Sequence, residues 1–307
     1  MAPSEAALRL VIGPSSHGGE PVLRAWIDGT DQIDRLPLRR ELCLTPLEGR
    51  WCTGWRDFER DERKPCPDGR QITRGRQCDR CRIEEGFYLC LTCDGTRCPA
   101  LPPAIERYCL QTHRLYLADF GTGQVKVGTA SGEEGDSRVV GQGPIAAAYV
   151  ARGPGPQIKR LEKASSALGL TQQMTRRRKS GTAFVRERDE RAARQVDEAA
   201  AKERIGEALA TLRRELTGDD ASALHDAEFV NLPPKERYEG PLPAYSIAAK
   251  AGETIRGEVR SVRGGFALLD VAGVPGVLDL GELRGRKVDL TLREAAPPPA
   301  SQLSLFE

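Results

Sequence analysis

Over the first sixty residues, short apolar runs alternate with turn formers. Leu8 to Ile12, Val22 to Ile27, Leu42 to Leu44 and Trp51 to Trp55 are separated by Gly, Pro and Asp, a pattern that predicts a small, mostly β segment. Further on, Leu115 to Ala118 and Val125 to Val127 flank Gly121-Thr122-Gly123 and predict a β-hairpin. The apolar period then lengthens. Gln157 to Leu168 is a short amphipathic stretch, and Ala183 to Leu216 a long one, with Val185, Ala192, Val196, Ala199, Ile205, Leu209, Leu212 and Leu216 at near-helical spacing. Thr217 to Tyr245 is rich in Asp, Pro and Gly and reads as a linker. Beyond it, short β-prone runs punctuated by Gly predict a small twisted sheet or partly closed barrel. About 45 residues is too few for an independent core, so this module is expected to pack on the rest.

Composition sharpens that reading. Only 39% of the 307 residues are apolar and the mean hydropathy is −0.46, so burial must be concentrated in a few segments and supplemented by something else. The 9 cysteines are the obvious supplement. No apolar run approaches the roughly 18 residues of a membrane span, and the opening MAPSEAALRLVIG lacks a basic start followed by a long apolar stretch. The expected location is therefore the cytoplasm, with no membrane partner. Cations and anions nearly balance overall, 46 against 44, but not locally. Residues 60–82 carry eight cationic side chains against four acidic ones, and residues 151–191 eleven against four. The densest point, Arg176-Arg177-Arg178-Lys179, suits a phosphate backbone, where each neutralised phosphate adds salt-dependent affinity. A basic run of this kind also serves as an ordinary solvated helix face.

In a reducing compartment, paired cysteines bind metal more often than they form disulfides. Cys78-Asp-Arg-Cys81 and Cys90-Leu-Thr-Cys93 are two C-x-x-C knuckles eight residues apart, a spacing that lets four thiolates converge on one tetrahedral zinc. Cys98, Cys109 and His113 continue the series. They fit a second site completed by Cys43, Cys52 or Cys66, or an interleaved arrangement in which they exchange with Cys90; spacing does not choose. One or two zinc ions are expected. Four saturated ligands leave no open position for substrate, so the metal is expected to be structural.

The stretch HRLYLADFGTGQVKVGTAS, with the later RVVGQGPIAAA and IKRLEKA, resembles an uncharacterised DUF family in which a zinc knuckle precedes a shortened relative of the GIY-YIG nuclease domain. The resemblance covers roughly residues 70 to 180. It implies that Leu115-Tyr116 lies on the first hairpin strand and Lys126-Val127-Gly128 on the second, that Arg138 supplies the family's arginine, and that Glu162 supplies its metal-binding carboxylate. A phosphodiester cut needs a base, a cation against the charge growing on the phosphoryl oxygens, and a metal ion. Tyr116, Lys126, Arg138 and Glu162 would fill those roles, with Mg²⁺ or Mn²⁺ on Glu162. The chain departs from the family in three ways. Lys126 stands where the second aromatic belongs, the first tripeptide is not Gly-Ile-Tyr, and the only Asn is the distant Asn231.

The last residues join Pro297-Pro298-Pro299 to Gln302-Leu303-Ser304-Leu305-Phe306, which resembles the bacterial sliding-clamp binding motif. An extended peptide of this kind sets its Gln in a polar notch and its Leu and aromatic side chains in an apolar pocket. Docking of this tail on its own protein is the competing possibility. The whole reads as an α+β chain: an N-terminal β segment (1–60), a zinc knuckle region (61–113), a GIY-YIG-like α/β domain (114–182), a long charged helix (183–216), a linker (217–245), a small β module (246–294), and a spacer with a clamp-binding tail (295–307). The expected function is that of a clamp-tethered, zinc-stabilised protein acting on DNA, first as a metal-dependent endonuclease of replication-linked repair. The alternatives are a non-catalytic nucleic-acid-binding adaptor recruited by the clamp, and an RNA-binding zinc protein.

Overall fold

A computed structural model describes residues 8–17, 20–91, 93–132, 135–175, 179, 198–232, 245–290 and 304–305. The chain is of mixed α+β type, with more strand than helix. It divides into two compact units, one of residues 1–85 with 238–307, the other of residues 86–237.

The first unit holds β1 (Leu8–His17), β2 (Glu20–Ile27), β3 (Ile33–Pro37), β4 (Arg40–Pro46), β5 (Trp55–Asp57), β6 (Glu62–Lys64) and the short helix α1 (Asp79–Glu85). The chain later returns to it with β11 (Tyr245–Ile247), β12 (Ile255–Arg263), β13 (Phe266–Val271), β14 (Val274–Asp279), β15 (Lys287–Asp289) and β16 (Ser304–Leu305). The N-terminal β segment and the C-terminal β module, distant in the chain, are strands of one ten-stranded sheet in the order β16-β11-β14-β13-β12-β4-β15-β1-β2-β3. Three seams join them, one of them β15 antiparallel to β4 with Val288 opposite Pro46. Leu44 faces Ile255 where β4 runs antiparallel to β12, and Leu10 faces Lys287 where β1 runs antiparallel to β15. Neither half buries a core alone; together they bury Val11, Leu23, Leu44, Ile255, Leu269, Leu278 and Val288 in one apolar cluster.

The second unit holds α2 (Pro103–Leu110), β7 (Thr112–Asp119), β8 (Val125–Ser131), α3 (Ser137–Val140), β9 (Ala146–Pro154), α4 (Gly155–Ala167), α5 (Glu198–Glu215) and β10 (Leu224–Phe229). Its sheet is antiparallel throughout, in the order β10-β9-β7-β8. The expected hairpin is β7 and β8, and the expected short helix is α4. Of the long helix, residues 198–215 are described; the positions before them lie outside the described residues. The linker expected over 217–245 carries an edge strand, β10. Its Leu-His-Asp-Ala-Glu-Phe is half polar because only one side of an edge strand is covered.

Strand alternation sends successive side chains to opposite faces of this sheet. Leu115 and Leu117 of β7, with Val125 and Val127 of β8, pack under Ile158 and Leu161 of α4 and under Ile205, Leu209 and Leu212 of α5. Tyr116 and Ala118 point the other way and cluster with Phe120, Val139 and Tyr149. Among the described residues, no helix is long and apolar enough to cross a membrane.

Candidate metal centre and polar cluster

In the first unit, Cys52, Cys66, Cys78 and Cys81 place their thiol sulfurs all within 4.8 Å of one another. Three short segments build the site. The strand-like stretch at Trp51 bridges Gln71, and the Cys52 N–H donates to the Arg70 carbonyl at 2.8 Å. Thr53 bonds through its N–H to the Arg76 carbonyl, 2.9 Å, and its own carbonyl accepts from Trp26 Nε1, 3.1 Å, on β2. Cys78 and Cys81 straddle the first turn of α1, where the Arg82 N–H closes on the Cys78 carbonyl at 3.0 Å. At the far end of α1, the Glu85 carboxylate accepts from the Arg56 N–H and from Gln77 Nε2, fixing the helix against β5.

The geometry suits a tetrahedral thiolate centre. Zn–S bonds of about 2.3 Å require sulfur–sulfur edges of about 3.8 Å, and Cys66 Sγ lies 3.9 Å from Cys78 Sγ. The Cys78 N–H donates to Cys52 Sγ at 3.2 Å, which stabilises a thiolate in a dry site. Burial, set against backbone N–H donors from Cys78 and Gly54, pushes the Cys52 thiol up to about 11. Burial and the neighbouring sulfurs raise Cys81 further. At Cys66 burial also opposes ionisation, yet the N–H groups of Arg70 and Asp68 together with hydrogen bonds from Cys52 and Cys81 hold that thiol below its ordinary value. Four sulfurs this close ionise together only around a cation. The donor set fits a structural zinc held by Cys52, Cys66, Cys78 and Cys81, with no ligand position left for substrate.

This corrects the expected pairing. Cys78 and Cys81 belong to the site, but their partners are Cys52 and Cys66, from earlier in the chain, and not the knuckle Cys90-Cys93. The chain passes from one compact unit to the other after Glu85, between the two knuckles. Cys90, Cys93, Cys98 and Cys109 lie in the second unit. There His113 Nδ1 donates to the Gln111 carbonyl, 3.0 Å, and the ring packs edge-on against Tyr108. Cys43, on β4, lies outside the thiol cluster.

The other residues of interest meet on the second unit's sheet, on the face away from α4 and α5. Tyr116 Oη accepts from Lys126 Nζ at 3.1 Å and from Gln142 Nε2 at 2.7 Å. Gln142 Oε1 in turn accepts from Lys179 Nζ at 3.0 Å, and that ammonium lies 4.6 Å from the Phe120 ring centroid. Gly128 faces Tyr116 across the hairpin. A Cβ there would stand 2.4 Å from Tyr116 Oη and 2.9 Å from Lys126 Nζ, so the phenol can cross the β8 backbone only because that residue is glycine. Nearby, the Arg114 guanidinium stacks 3.8 Å from the Tyr149 ring centroid, and Tyr149 Oη donates to the Gly135 carbonyl.

Of the four residues expected at a nuclease site, Tyr116 and Lys126 touch. Arg138 lies on α3, exposed, with its carbonyl accepting from the same Gln142 amide, 3.2 Å. Glu162 is on α4, which packs on the opposite face of the sheet, and its carboxylate pairs with Lys159 at 3.1 Å. Gln142, between Gly141 and Gly143, was not among the expected site residues, since a single polar residue between glycines carries no signal of its own. Arg176, Arg177 and Arg178 lie outside the described residues, as do Gln302, Leu303 and Phe306; Ser304 and Leu305 form β16, antiparallel to Tyr245 and Ser246 of β11.

Fold and site together define a two-unit α+β protein with a four-thiolate centre in one unit and a cationic polar cluster in the other. Residues 73–288 match the model of the family described as a protein of unknown function, DUF2797, and the chain belongs to that family. No curated protein and no solved structure matches it.

Proposed function

We propose that this protein is a zinc-stabilised, DNA-associated adaptor that grips the nucleic-acid backbone through the polar cluster of its second unit and is recruited by the sliding clamp through its C-terminal tail. The observation that carries the reading is Lys126. Its side chain is buried, 8% exposed, and its ammonium touches the Tyr116 hydroxyl, the Val127 carbonyl and the Tyr116 ring, with no carboxylate partner among the described residues. A buried cation without a counter-ion is costly, and a bound anion removes that cost. A phosphate is the natural one, because Arg114, Arg138 and Lys179 belong to the same face of the unit and add positive charge without reading bases. The tail suits the clamp because Leu305 and Phe306 supply two anchors for little ordered surface.

The test is a titration of the full chain against duplex and branched DNA at several salt concentrations. Lys126→Met is expected to weaken binding about tenfold and to reduce the salt slope by about one counter-ion; unchanged affinity and slope would defeat the proposal. A pull-down on purified clamp should retain the intact chain and lose one lacking Gln302 to Glu307.

The endonuclease remains the second reading because the order of elements favours it: a hairpin with Tyr116 and Lys126, a helix with Arg138, then a later helix with Glu162. It predicts Mg²⁺- or Mn²⁺-dependent nicking of branched DNA, abolished by Glu162→Ala with binding intact. The placement of α4 against Leu115 and Leu117, away from Tyr116, argues for the adaptor.

A further inference from the structure

The second unit contains four cysteines that the buried centre of the first does not use, and the packing of its N-terminal part brings Cys90, Cys93 and Cys109 to the start of α4. Cys90 and Cys93 form a tight turn in which the Cys93 N–H donates to the Cys90 carbonyl at 3.2 Å and the Gly95 N–H donates to Cys93 Sγ at 3.3 Å. That turn is fastened to the start of α4. Gly95 has a φ of 83° and packs so tightly on Pro156 that a Cβ would stand 2.1 Å from its carbonyl oxygen. Arg160 Nη1 donates to the Gly95 carbonyl at 2.9 Å, and Lys163 Nζ pairs with Asp94 at 2.6 Å.

Cys109 reaches the same helix end from the other side. It lies on the last turn of α2, and its carbonyl would be 2.3 Å from a Cβ on Gly155, the first residue of α4. Two adjacent residues, Gly155 and Pro156, thus hold both the knuckle and Cys109 at backbone contact distance. Cys98, exposed in the loop between them, has Cys93 among its charged neighbours.

We propose that Cys90, Cys93, Cys98 and Cys109 bind a second structural zinc ion at the N-terminal end of α4, separate from the site of Cys52, Cys66, Cys78 and Cys81. Lys159, on the first turns of α4, is a charged neighbour of both Cys90 and Cys109, and the amino end of a thirteen-residue helix adds partial positive charge. Both offset the net negative charge of a zinc tetrathiolate. His113 lies at the same helix end, its Nδ1 donating to the Gln111 carbonyl and its ring packed on Tyr108, but four thiols already complete a tetrahedral set. The set is four thiolates, without imidazole.

This site stands whether or not the protein grips DNA, and metal content tests it without any binding assay. Elemental analysis of the full chain is expected to find two zinc ions per molecule. The double variant Cys90→Ser/Cys109→Ser should retain one, and His113→Ala should retain two. Because the double variant removes two ligands and risks misfolding, cadmium NMR of the milder Cys98→Ser chain gives a second readout. Two thiolate-bound resonances are expected from the unmodified chain, of which Cys98→Ser shifts one and leaves the other in place. A single zinc in the unmodified chain, loss of an ion on His113→Ala, or two cadmium resonances both indifferent to Cys98→Ser would each overturn the proposal.

Discussion

The two faces of the second unit's sheet are built from alternate residues of the same strands, yet they are chemically unlike. One face is closed: Leu115, Leu117 and Val127 are fully buried beneath Ile158 and Leu161 of α4 and Ile205 and Leu212 of α5. Its buried Asp119 is paired with Arg204 at 2.6 Å and also accepts from the Gly121 N–H. The other face buries Tyr116 and Lys126 within a chain of hydrogen bonds that runs to Gln142 and Lys179, and there the cation has no carboxylate among the described residues. On the first face the buried carboxylate is paired within the fold. On the second the positive charge is left for something else, which is why the proposed contact with DNA is placed there.

Substitutions on the two faces should therefore separate stability from binding. The largest effect is expected for Ile205→Ala, which opens a cavity in the closed face; a loss of about 4 kcal/mol in denaturant unfolding follows from fully buried aliphatic truncations, with DNA affinity of the remaining folded protein unchanged. Arg204→Ala should cost about 3 kcal/mol, since it strands the buried Asp119 carboxylate. A loss below 1 kcal/mol would mean that water or another donor replaces the guanidinium.

Gly128→Ala is the first substitution expected to act on both properties. Its methyl group would collide with the Tyr116 phenol, costing about 2 kcal/mol through overpacking and displacing Lys126 from its partner, so thermal stability and DNA affinity should fall together. Smallest in stability is Tyr116→Phe, about 1 kcal/mol for a lost buried hydroxyl that accepts two hydrogen bonds. Freed from the phenol, Lys126 should change the salt dependence of DNA binding by more than the stability loss suggests. If instead Tyr116→Phe alters neither, the polar face is simply a second core.

Much of this architecture was legible locally. The hairpin followed from two β-prone runs around Gly121-Thr122-Gly123, and α4 from the apolar spacing of Gln157 to Leu168, because strand and helix periods are properties of neighbouring residues. The C-terminal β module was expected to pack on the rest of the chain, and its β12 pairs with β4. Cys78 and Cys81 were read as metal ligands from their spacing, and α1 holds them on one turn as that spacing requires. Glu162 was assigned by analogy of order along the chain, and order carries no information about which face of a sheet a helix will cover.

What the amino-acid sequence determined by itself was the inventory: which segments form strands and helices, that paired thiols seek a metal, and that the chain lacks apolar surface enough for one large core. Tertiary structure decided the partners. It joined strands more than two hundred residues apart, as Leu44 with Ile255, because the entropy of closing a long loop grows only slowly with its length while the buried area gained does not depend on it. It also gave Cys78 and Cys81 to Cys52 and Cys66, since a tetrahedral thiolate centre is satisfied by proximity in space, and the spacing of two adjacent knuckles cannot encode which other thiols the fold will bring near.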